Sequence, residues 1–331
     1  MVTATRPFFH TGPLDGQALE ATEDLIDEVN VIKGKKLTSA KHSPPEASET
    51  ATPFGQESRF DADKDKSLFR RYTEACERVK SFYAEQHQKQ TVAFNLAARE
   101  KFAIDTSPTP SVAPRDEMTV WEAMEKLDTL VDASDPDTDL SQIQHLLQTA
   151  EAMRRDGKPR WMQVTGLVHD LGKLLYFYGA EGQWDVVGDT FPVGCAFDHR
   201  IVLPETFAAN PDASHPVYST RFGMYEPGCG IENLVMSWGH DEYMYQVCVR
   251  QSRLPREALA MIRYHSFYAW HREGAYREFM RDGDEELLAA VRAFNPYDLY
   301  SKSDEAPTVE ELKPYYLELI DEFFPQKVLR W

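Results

Sequence analysis

The chain has 331 residues, of which 42% are hydrophobic and 12% aromatic, a composition typical of globular proteins. Acidic residues outnumber basic residues by 54 to 36, and the net charge of −18 repels phosphate backbones and anionic membrane surfaces. We therefore expect no nucleic-acid partner and no membrane partner, and no apolar run is long enough to predict a membrane span.

The N-terminal stretch "MVTATRPFFHTGPLDGQ" has no basic region followed by an apolar segment, which predicts a cytoplasmic protein. Residues 1–62 are rich in Thr, Ser, Ala and Pro and lack sustained hydrophobic periodicity. This composition predicts a flexible N-terminal extension, with at most one short helix near "LEATEDLIDEV". Residues 63–331 are then expected to form a single, mainly α-helical domain.

The spacing of apolar residues is helical from about residue 66 onward. Two of the helix starts carry capping boxes, Thr119 with Glu122 and Thr308 with Glu311. A proline-rich stretch at 103–117 and a segment at 180–229 interrupt the helices, and the second is long enough to predict an ordered, functional loop. Helices are predicted over 67–100, 141–154, 160–178, 230–249, 256–271 and 276–292.

The segment "WMQVTGLVHDLGKLLYFYG" combines an apolar helical stripe with three polar residues. His169, Asp170 and Lys173 lie on the side opposite the stripe, which is typical of a solvated helix face. Solvated faces usually carry several Glu, Lys, Arg or Gln residues, however, whereas this one carries Gly166 and Gly172. Glycine lowers helix stability but lets another group approach closely, so a functional site is the alternative interpretation.

Neighbouring His and Asp side chains can donate an imidazole nitrogen and a carboxylate oxygen to one metal site or to two adjacent metals. A second such pair, His240 and Asp241, occurs in "WGHDEYMYQV". His265 falls on a buried helical stripe, where a hydrogen-bonded core histidine is the commoner explanation. His145 lies on the far side of its helix, and periodicity does not single it out.

Five segments together resemble the inositol oxygenase family, whose enzymes cleave myo-inositol to D-glucuronate. They are "LVHDLGK", "VVGDTFPVGC", "GCGIENLVMSWGHDEYMYQV", "MIRYHSFYAWH" and "FNPYDLYSK", in the order of that family. The resemblance runs from about Asp65 to Trp331. It implies a variant of the helical HD-domain fold, with extra N-terminal helices, a long ordered loop and an HD-like core at about 140–300.

The resemblance also implies a non-haem di-iron centre with six protein ligands. One iron would be held by His145, His169, Asp170 and Asp298, and the other by His240 and His265, with Asp170 bridging the two. Asp241 is not a ligand in this scheme. Imidazole and carboxylate suit both ferrous and ferric iron, and the scattered cysteines are consistent with a site that has no thiolate. Those cysteines are Cys76, Cys195, Cys229 and Cys248.

A set of substrate contacts is implied by the same resemblance. A cyclic polyol offers hydroxyl groups that both donate and accept, so charged and hydroxyl side chains suit its recognition. The family usually has an acidic residue where Ala133 stands, so contacts from that loop are expected to be mostly backbone. The implied contacts are Arg70, Asp132, Ser134, Lys173, Gly188, Asp189, His265 and Ser266, with Lys302 as a looser candidate.

The function implied by the resemblance is oxygen-dependent ring cleavage of myo-inositol by a mixed-valent Fe(II)/Fe(III) centre. Lys173 would be the catalytic residue that polarises or deprotonates the bound hydroxyl, and no organic cofactor would be needed. A monomer is expected. The alternative is an HD-type metal-dependent phosphohydrolase, because most relatives with HD domains use similar ligands for phosphate ester hydrolysis.

Overall fold

A computed structural model describes Ile26 and residues 77–111, 113–130, 141–300 and 308–331, except for the side chain of Tyr300. These residues form a mainly α-helical structure of the HD-like bundle type, which confirms the predicted fold class. Within the described ranges, no helix is both long and apolar enough to cross a membrane.

The helices are labelled α1 to α10 in chain order. They are α1 Glu77–Lys89, α2 Val92–Lys101, α3 Val120–Asp128, α4 Gln142–Arg155, α5 Arg160–Val168, α6 His240–Gln251, α7 Arg256–Tyr264, α8 Tyr268–His271, α9 Asp284–Tyr300 and α10 Val309–Phe323. A long 3-10 helix, His169–Tyr178, continues directly from α5, and strands β1 Glu117–Met118 and β2 Leu329–Arg330 pair antiparallel.

Both predicted capping boxes are present. The Thr119 hydroxyl accepts a hydrogen bond from the Glu122 backbone N–H, and the Glu122 carboxylate accepts one from the Thr119 N–H. Thr308 and Glu311 form the same reciprocal pair at the start of α10. Two orphan amide groups are satisfied at each helix start, as the local sequence predicts.

The predicted helix 160–178 is wrong in its second half. The α-helical part ends at Val168, and the chain continues as a 3-10 helix over His169–Tyr178. The change occurs where α6 packs closely against this segment. The packing is so close that a Cβ on Gly172 would lie 2.0 Å from the carbonyl oxygen of His240. Both faces of the segment are buried around His169, Asp170 and Lys173, so the solvated-face interpretation is also wrong.

Several other predicted helix bounds also shift. The predicted helix 67–100 is interrupted at Gln90, where Thr91 caps a new helix. The helix predicted from residue 230 begins only at His240, because residues 234–239 run mostly extended and pair in part with the 180–229 segment. The helix predicted over 276–292 lies instead at Asp284–Tyr300, where Asp284 accepts hydrogen bonds from the backbone N–H groups of Arg281 and Ile231.

The segment 180–229 is ordered and carries short 3-10 helices rather than α-helices. Its first part packs against α1, where the Gln86 side chain donates a hydrogen bond to the Val187 carbonyl. Helices α4, α5, α6, α7 and α9 pack against one another and against the 3-10 helix, and they enclose the cluster described next.

Candidate metal centre

Six histidine and aspartate side chains from five helical elements converge in the interior of the bundle. Sequence positions as distant as His145 and Asp298 meet here, and each of these side chains is almost fully buried. They are the residues that the family resemblance singles out as ligands. The contributions are His145 from α4, His169 and Asp170 from the 3-10 helix, His240 from α6, His265 from the end of α7 and Asp298 from α9.

Four of these residues form a first group. His169 Nε2 lies 3.0 Å from Asp298 Oδ1 and 3.3 Å from Asp170 Oδ2. His145 Nε2 lies 3.3 Å from Asp170 Oδ2 and 3.6 Å from Asp298 Oδ1. Metal–ligand bonds of about 2.0–2.2 Å separate neighbouring ligand atoms by roughly 3.0–3.5 Å, so these spacings fit four ligands of one metal.

The second group consists of two histidines and the other oxygen of Asp170. His240 Nε2 and His265 Nε2 lie 3.0 Å apart. Asp170 Oδ1 lies 3.5 Å from His240 Nε2 and 3.6 Å from His265 Nε2. Asp170 therefore directs one carboxylate oxygen at each group, which is the geometry of a bridging ligand.

The imidazole rings are oriented by backbone carbonyl groups. His169 Nδ1 lies 2.8 Å from the Gly166 oxygen, His240 Nδ1 lies 2.8 Å from the Val186 oxygen, and His265 Nδ1 lies 2.9 Å from the Ile262 oxygen. A carbonyl oxygen only accepts, so each neutral ring carries its proton on Nδ1 and directs the lone pair of Nε2 into the cluster. Metal-binding histidines are commonly held in this way.

The donor set suits a metal cation. Two Nε2 lone pairs that face each other at 3.0 Å, as in His240 and His265, repel unless a proton or a cation lies between them. Imidazole and carboxylate donors without thiolate are the ligands of non-haem iron and similar transition metals. The cluster residues therefore fit the group that the resemblance implies.

The electrostatics of the first group also favour a cation. Burial alone would raise the pKa of the Asp170 carboxyl, but the charges of His169 and Lys173 outweigh burial and hold that pKa well below its usual range. Burial alone would lower the pKa of His169, but Asp170 and Asp298 raise it well above its usual range. Carboxylates that stay ionised and attract a proton also attract the metal that competes with it.

Lys173 reaches the cluster from the next turn of the 3-10 helix. Its Nζ donates to Asp170 Oδ2 at 2.9 Å and lies 3.4 Å from Gln142 Oε1, and the side chain is almost fully buried. The predicted position beside the histidine and aspartate pair is therefore found. Its partner in the structure is the carboxylate that faces both groups.

A pocket opens onto the second group and brings together most of the described residues with predicted substrate roles. Gly188 has a φ of +98°, and a Cβ there would lie 2.6 Å from the Phe82 ring, so glycine is required at this turn. Tyr268 was not predicted, although it lies three residues after His265 in the same motif. The lining residues are Ile26, Asp170, Gly188, Asp189, His240, His265, Ser266, Tyr268 and Asp298.

Asp189 is held at the pocket by a tyrosine that sequence patterns do not indicate. The Tyr83 hydroxyl of α1 donates to Asp189 Oδ1 at 2.9 Å, and the two residues are 106 positions apart. Burial first, and then the charge of Asp189, raise the pKa of Tyr83 well above its usual range, so the hydroxyl keeps its proton. Asp189 is thus a fixed hydrogen-bond acceptor at the pocket wall.

Asp241 is also at the cluster, although the sequence interpretation sets it aside. Its Oδ1 lies 2.8 Å from His240 Nε2 and 3.4 Å from His265 Nε2. It accepts hydrogen bonds from the backbone N–H and the hydroxyl of Ser266. The repeated His-Asp motif was the sequence signal for Asp241. Only the fold shows that Asp170 and Asp241 both point into the cluster.

Four predicted substrate contacts cannot be placed in this geometry. Arg70, Asp132, Ser134 and Lys302 lie outside the described residues, as do Ala133 and Cys76. Lys173 touches the cluster, while Gly188, Asp189, His265 and Ser266 share one pocket.

Comparisons with known proteins agree with this geometry. A family model described as myo-inositol oxygenase matches residues 76–331. A probable inositol oxygenase of Oryza sativa subsp. japonica is 49% identical over 80% of this chain and 85% of its own length. An inositol oxygenase of Sus scrofa is 47% identical over 82% of this chain and 94% of its own length.

A third relative also aligns with the N-terminal residues. Inositol oxygenase 4 of Arabidopsis thaliana is 41% identical over 100% of this chain and 99% of its own length. The matches cover every element that contributes to the histidine and aspartate cluster. The chain therefore belongs to the myo-inositol oxygenase family.

Proposed function

We propose that this protein is a myo-inositol oxygenase, which uses O2 to cleave the myo-inositol ring to D-glucuronate at a non-haem di-iron centre. The observation that carries the proposal is Asp170, whose two carboxylate oxygens lie 3.3–3.6 Å from imidazoles of two separate groups. One carboxylate shared by two such groups is suited to a pair of adjacent metals. The family relationship supports iron and the polyol substrate.

The first iron would be held by His145, His169, Asp170 and Asp298, and the second by His240, His265 and the same Asp170. When bound in the mixed-valent state, the two irons supply Lewis acidity and the ability to exchange electrons with O2. Ring cleavage to the acid is a four-electron oxidation, and O2 accepts four electrons. The reaction therefore needs no organic cofactor.

Substrate recognition is proposed at the pocket beside the second group. Asp189, fixed by Tyr83, accepts a hydrogen bond from a hydroxyl of the polyol, and Gly188 lets the ring approach the backbone. Arg70, Asp132 and Ser134 are proposed to complete the contacts. Such a site discriminates well, because a substrate that lacks a hydroxyl leaves buried polar groups unpaired.

Lys173 is proposed as the residue that handles the proton of a substrate hydroxyl. Its ammonium group is held by Asp170 Oδ2 at 2.9 Å, so its charge lies beside the metal positions. A cation there stabilises the negative charge that develops when the hydroxyl loses its proton. The surrounding helices exclude water from this step, since Lys173 is almost fully buried.

The phosphohydrolase alternative is less consistent with the pocket. The Asp189 carboxylate at the pocket wall would repel a phosphate dianion, and Lys173 is already paired with Asp170. A phosphatase screen with Mn²⁺, Mg²⁺ and Co²⁺ tests this alternative directly. Release of phosphate without oxygen consumption would favour it.

The proposal is tested with the full-length chain, purified without oxygen and loaded with iron. We expect about two irons per chain, and we expect added myo-inositol to cause O2 consumption and formation of glucuronate in equal amounts. Inositol without O2 and O2 without inositol are the controls. A single zinc per chain, with no O2 consumption on addition of inositol, would overturn the proposal.

A further inference from the structure

A buried carboxylate on α6 faces arginines from two other helices, and the proposed reaction uses none of the three. Glu242 Oε2 accepts from Arg263 Nε at 2.7 Å, and Glu242 Oε1 lies 3.4 Å from Arg99 Nη2. Glu242 and Arg263 are only 3% and 6% exposed. Desolvation offsets much of the attraction within a buried ion pair, so stability alone is a poor explanation for it. We call these three residues the arginine clamp.

Two members of the arginine clamp lie next to the second histidine group in the sequence. Glu242 follows His240 by two residues at the start of α6, and Arg263 precedes His265 by two residues at the end of α7. The ion pair therefore joins the two helix ends that supply these histidines, whose Nε2 atoms are 3.0 Å apart. Hydrogen bonds are directional and apolar contacts are not, so the pair fixes this separation more narrowly than core packing does.

The two arginines also hold one edge of the extended segment that precedes α6. Arg263 donates to the carbonyl oxygens of Glu232 and Leu234 at 2.9 and 3.2 Å. Arg99 donates to the carbonyl oxygen of Met236 at 2.7 Å. These carbonyls are at alternate positions, and alternate carbonyls of an extended chain face the same side. Glu242 fixes both guanidinium groups in the orientation that reaches this edge.

The opposite edge of the same segment pairs with the chain that follows the pocket wall. The Val193 N–H donates to the Val235 oxygen at 2.9 Å, and the Ser237 N–H donates to the Phe191 oxygen at 2.7 Å. Phe191 comes two residues after Asp189, which lines the pocket. The arginine clamp is therefore connected to the second histidine group on one side and to the pocket wall on the other.

On the basis of the proposed di-iron function, we propose that the arginine clamp is a positioning device for the second metal site. It fixes the separation of His240 and His265 and aligns the pocket wall with them, and its own side chains contact neither metal nor substrate. Its hydrogen bonds and ion pairs among the described residues run to α2, α6, α7 and the segment before α6. The first metal is proposed on α4, the 3-10 helix and α9, so the effect should be confined to the second. The alternative is that the clamp only stabilises the fold.

The first test is a titration of metal-free, full-length protein with Mn²⁺, in which EPR measures the free ion. The wild type should bind two ions. Arg263→Lys keeps the positive charge opposite Glu242, but a point charge cannot bind the carboxylate and both backbone carbonyls together as the planar guanidinium does. We expect one ion to bind as in wild type and the other about 10- to 100-fold more weakly, the usual cost of losing groups that orient metal ligands.

Two further variants make this titration specific. His265→Ala removes a proposed ligand and identifies which of the two binding constants belongs to the second site. Glu151→Gln is the matched control, because Glu151 is a buried carboxylate on α4 that accepts from the Tyr316 hydroxyl at 2.7 Å and from Arg154 Nη1 at 2.9 Å. It should lower stability in urea and leave the second ion as tightly bound as in wild type.

The second test separates positioning from stability. Glu242→Gln leaves two arginines without their carboxylate, and we expect a lower free energy of unfolding. Adding Arg263→Gln removes the unpaired charge, so the double variant should recover part of that stability while the second ion stays weakly bound. Joint recovery of stability and of second-ion affinity would contradict the positioning role. If the double variant does not fold, the Arg263→Lys titration decides by itself.

The outcomes separate this inference from the proposed function. Wild-type affinity for both ions in a folded Arg263→Lys chain would overturn the inference and leave the di-metal proposal intact. Equal weakening of both ions would also overturn it, because a general loss of stability acts on both sites. Binding of only one ion by the wild-type chain would instead overturn the proposed function on which the inference rests.

Discussion

Buried histidines occur in two contrasting settings in this protein. His169 lies between Asp170 and Asp298, and these carboxylates raise its pKa well above the usual range. His87 is equally buried, but it packs against aromatic rings and stacks on Phe207 with a centroid distance of 3.8 Å. Burial there lowers the pKa of His87 to about 3.

His271 shows that distance from the cluster does not decide whether the pKa of a buried histidine is raised or lowered. Its Nε2 donates to the backbone oxygen of His265, so it lies directly behind a predicted ligand. Its pKa is nevertheless lowered to about 3, by burial and then by the charge of Arg272. Facing carboxylates, rather than burial or location, therefore decide whether a buried histidine attracts a proton or a metal.

The largest effect is expected from a substitution that neutralises Asp170, the carboxylate on which this contrast depends. Asp170→Asn keeps the shape of the side chain but loses its charge, so His145, His169, His240 and His265 would face a weaker negative field. We expect iron content to fall from two per chain to one or fewer, and glucuronate formation to fall by more than about 100-fold. Iron analysis and an oxygen electrode measure both.

The matched control for this variant is Asp284→Asn, at a buried carboxylate that accepts backbone N–H bonds at the start of α9, and it should retain iron and turnover. Full turnover of Asp170→Asn would contradict the bridging role.

The second effect concerns the cation beside that carboxylate. Lys173→Met retains the apolar part of the side chain but removes the ammonium group that Asp170 holds. We expect kcat/KM for myo-inositol to fall by about 100- to 10,000-fold, the usual range for a positioned acid or base, while both irons remain bound. Lys313→Met, at a surface ion pair with Glu125, is the control. Loss of iron from Lys173→Met would indicate a structural role instead.

The third prediction concerns how the second histidine group is brought to the first. A Cβ on Gly172 would meet the His240 backbone at 2.0 Å. A Cβ on Gly166 would meet only side-chain ends, those of Met153 and Thr149, at 3.2 Å. Gly172→Ala should therefore lower the free energy of unfolding by about 3 kcal/mol or more. Gly166→Ala should change it little, since the better helix propensity of alanine offsets the closer contact. Urea denaturation measures both, and equal effects would contradict this explanation.

The smallest expected effect concerns His87, the buried histidine that packs among aromatic rings, and the pH dependence of stability. Because the folded pKa of His87 is about 3, the unfolded chain binds a proton below about pH 6.5 that the folded chain does not. The wild type therefore loses stability as the pH falls from 6.5 toward 3. His87→Phe, which can keep the stack on Phe207, should lose roughly 2–3 kcal/mol less between pH 7 and pH 4.5.

His87→Phe should also be slightly less stable than wild type at neutral pH, because it loses the hydrogen bond between His87 Nδ1 and the Thr206 hydroxyl. Thermal unfolding at a series of pH values measures the difference. His199→Gln, at an exposed histidine, should follow the wild-type profile. Parallel profiles for wild type and His87→Phe would contradict the prediction.

The local features of this fold were predictable from the sequence, for a physical reason. Capping boxes and the helix Gln142–Arg155 depend on residues three or four positions apart, so their signals are contained in short segments. The switch at Val168 from α-helix to 3-10 helix was not predictable, because the His240 backbone that packs against Gly172 lies far away in the sequence.

The same division applies to the site. The motifs around His169, His240 and His265 identify the family and the residue types that can bind iron. Periodicity alone placed the first polar trio in solvent and did not select His145, because a single helix cannot show that its second face will also be covered. Asp241 was not counted as a ligand because the family resemblance does not include it, and the sequence did not show that it would be buried beside the two histidines.

The sequence by itself therefore determined the helical class, the caps and the chemistry of the available donors, all of which depend on residue type and short-range spacing. Only the tertiary structure decided that Asp170 turns one oxygen to each histidine group, that Tyr83 holds Asp189, and that Asp241 points inward. In the same cluster, His169 and Asp298 are in contact although they are 129 positions apart. Packing of whole helices sets such distances, and no local pattern encodes them.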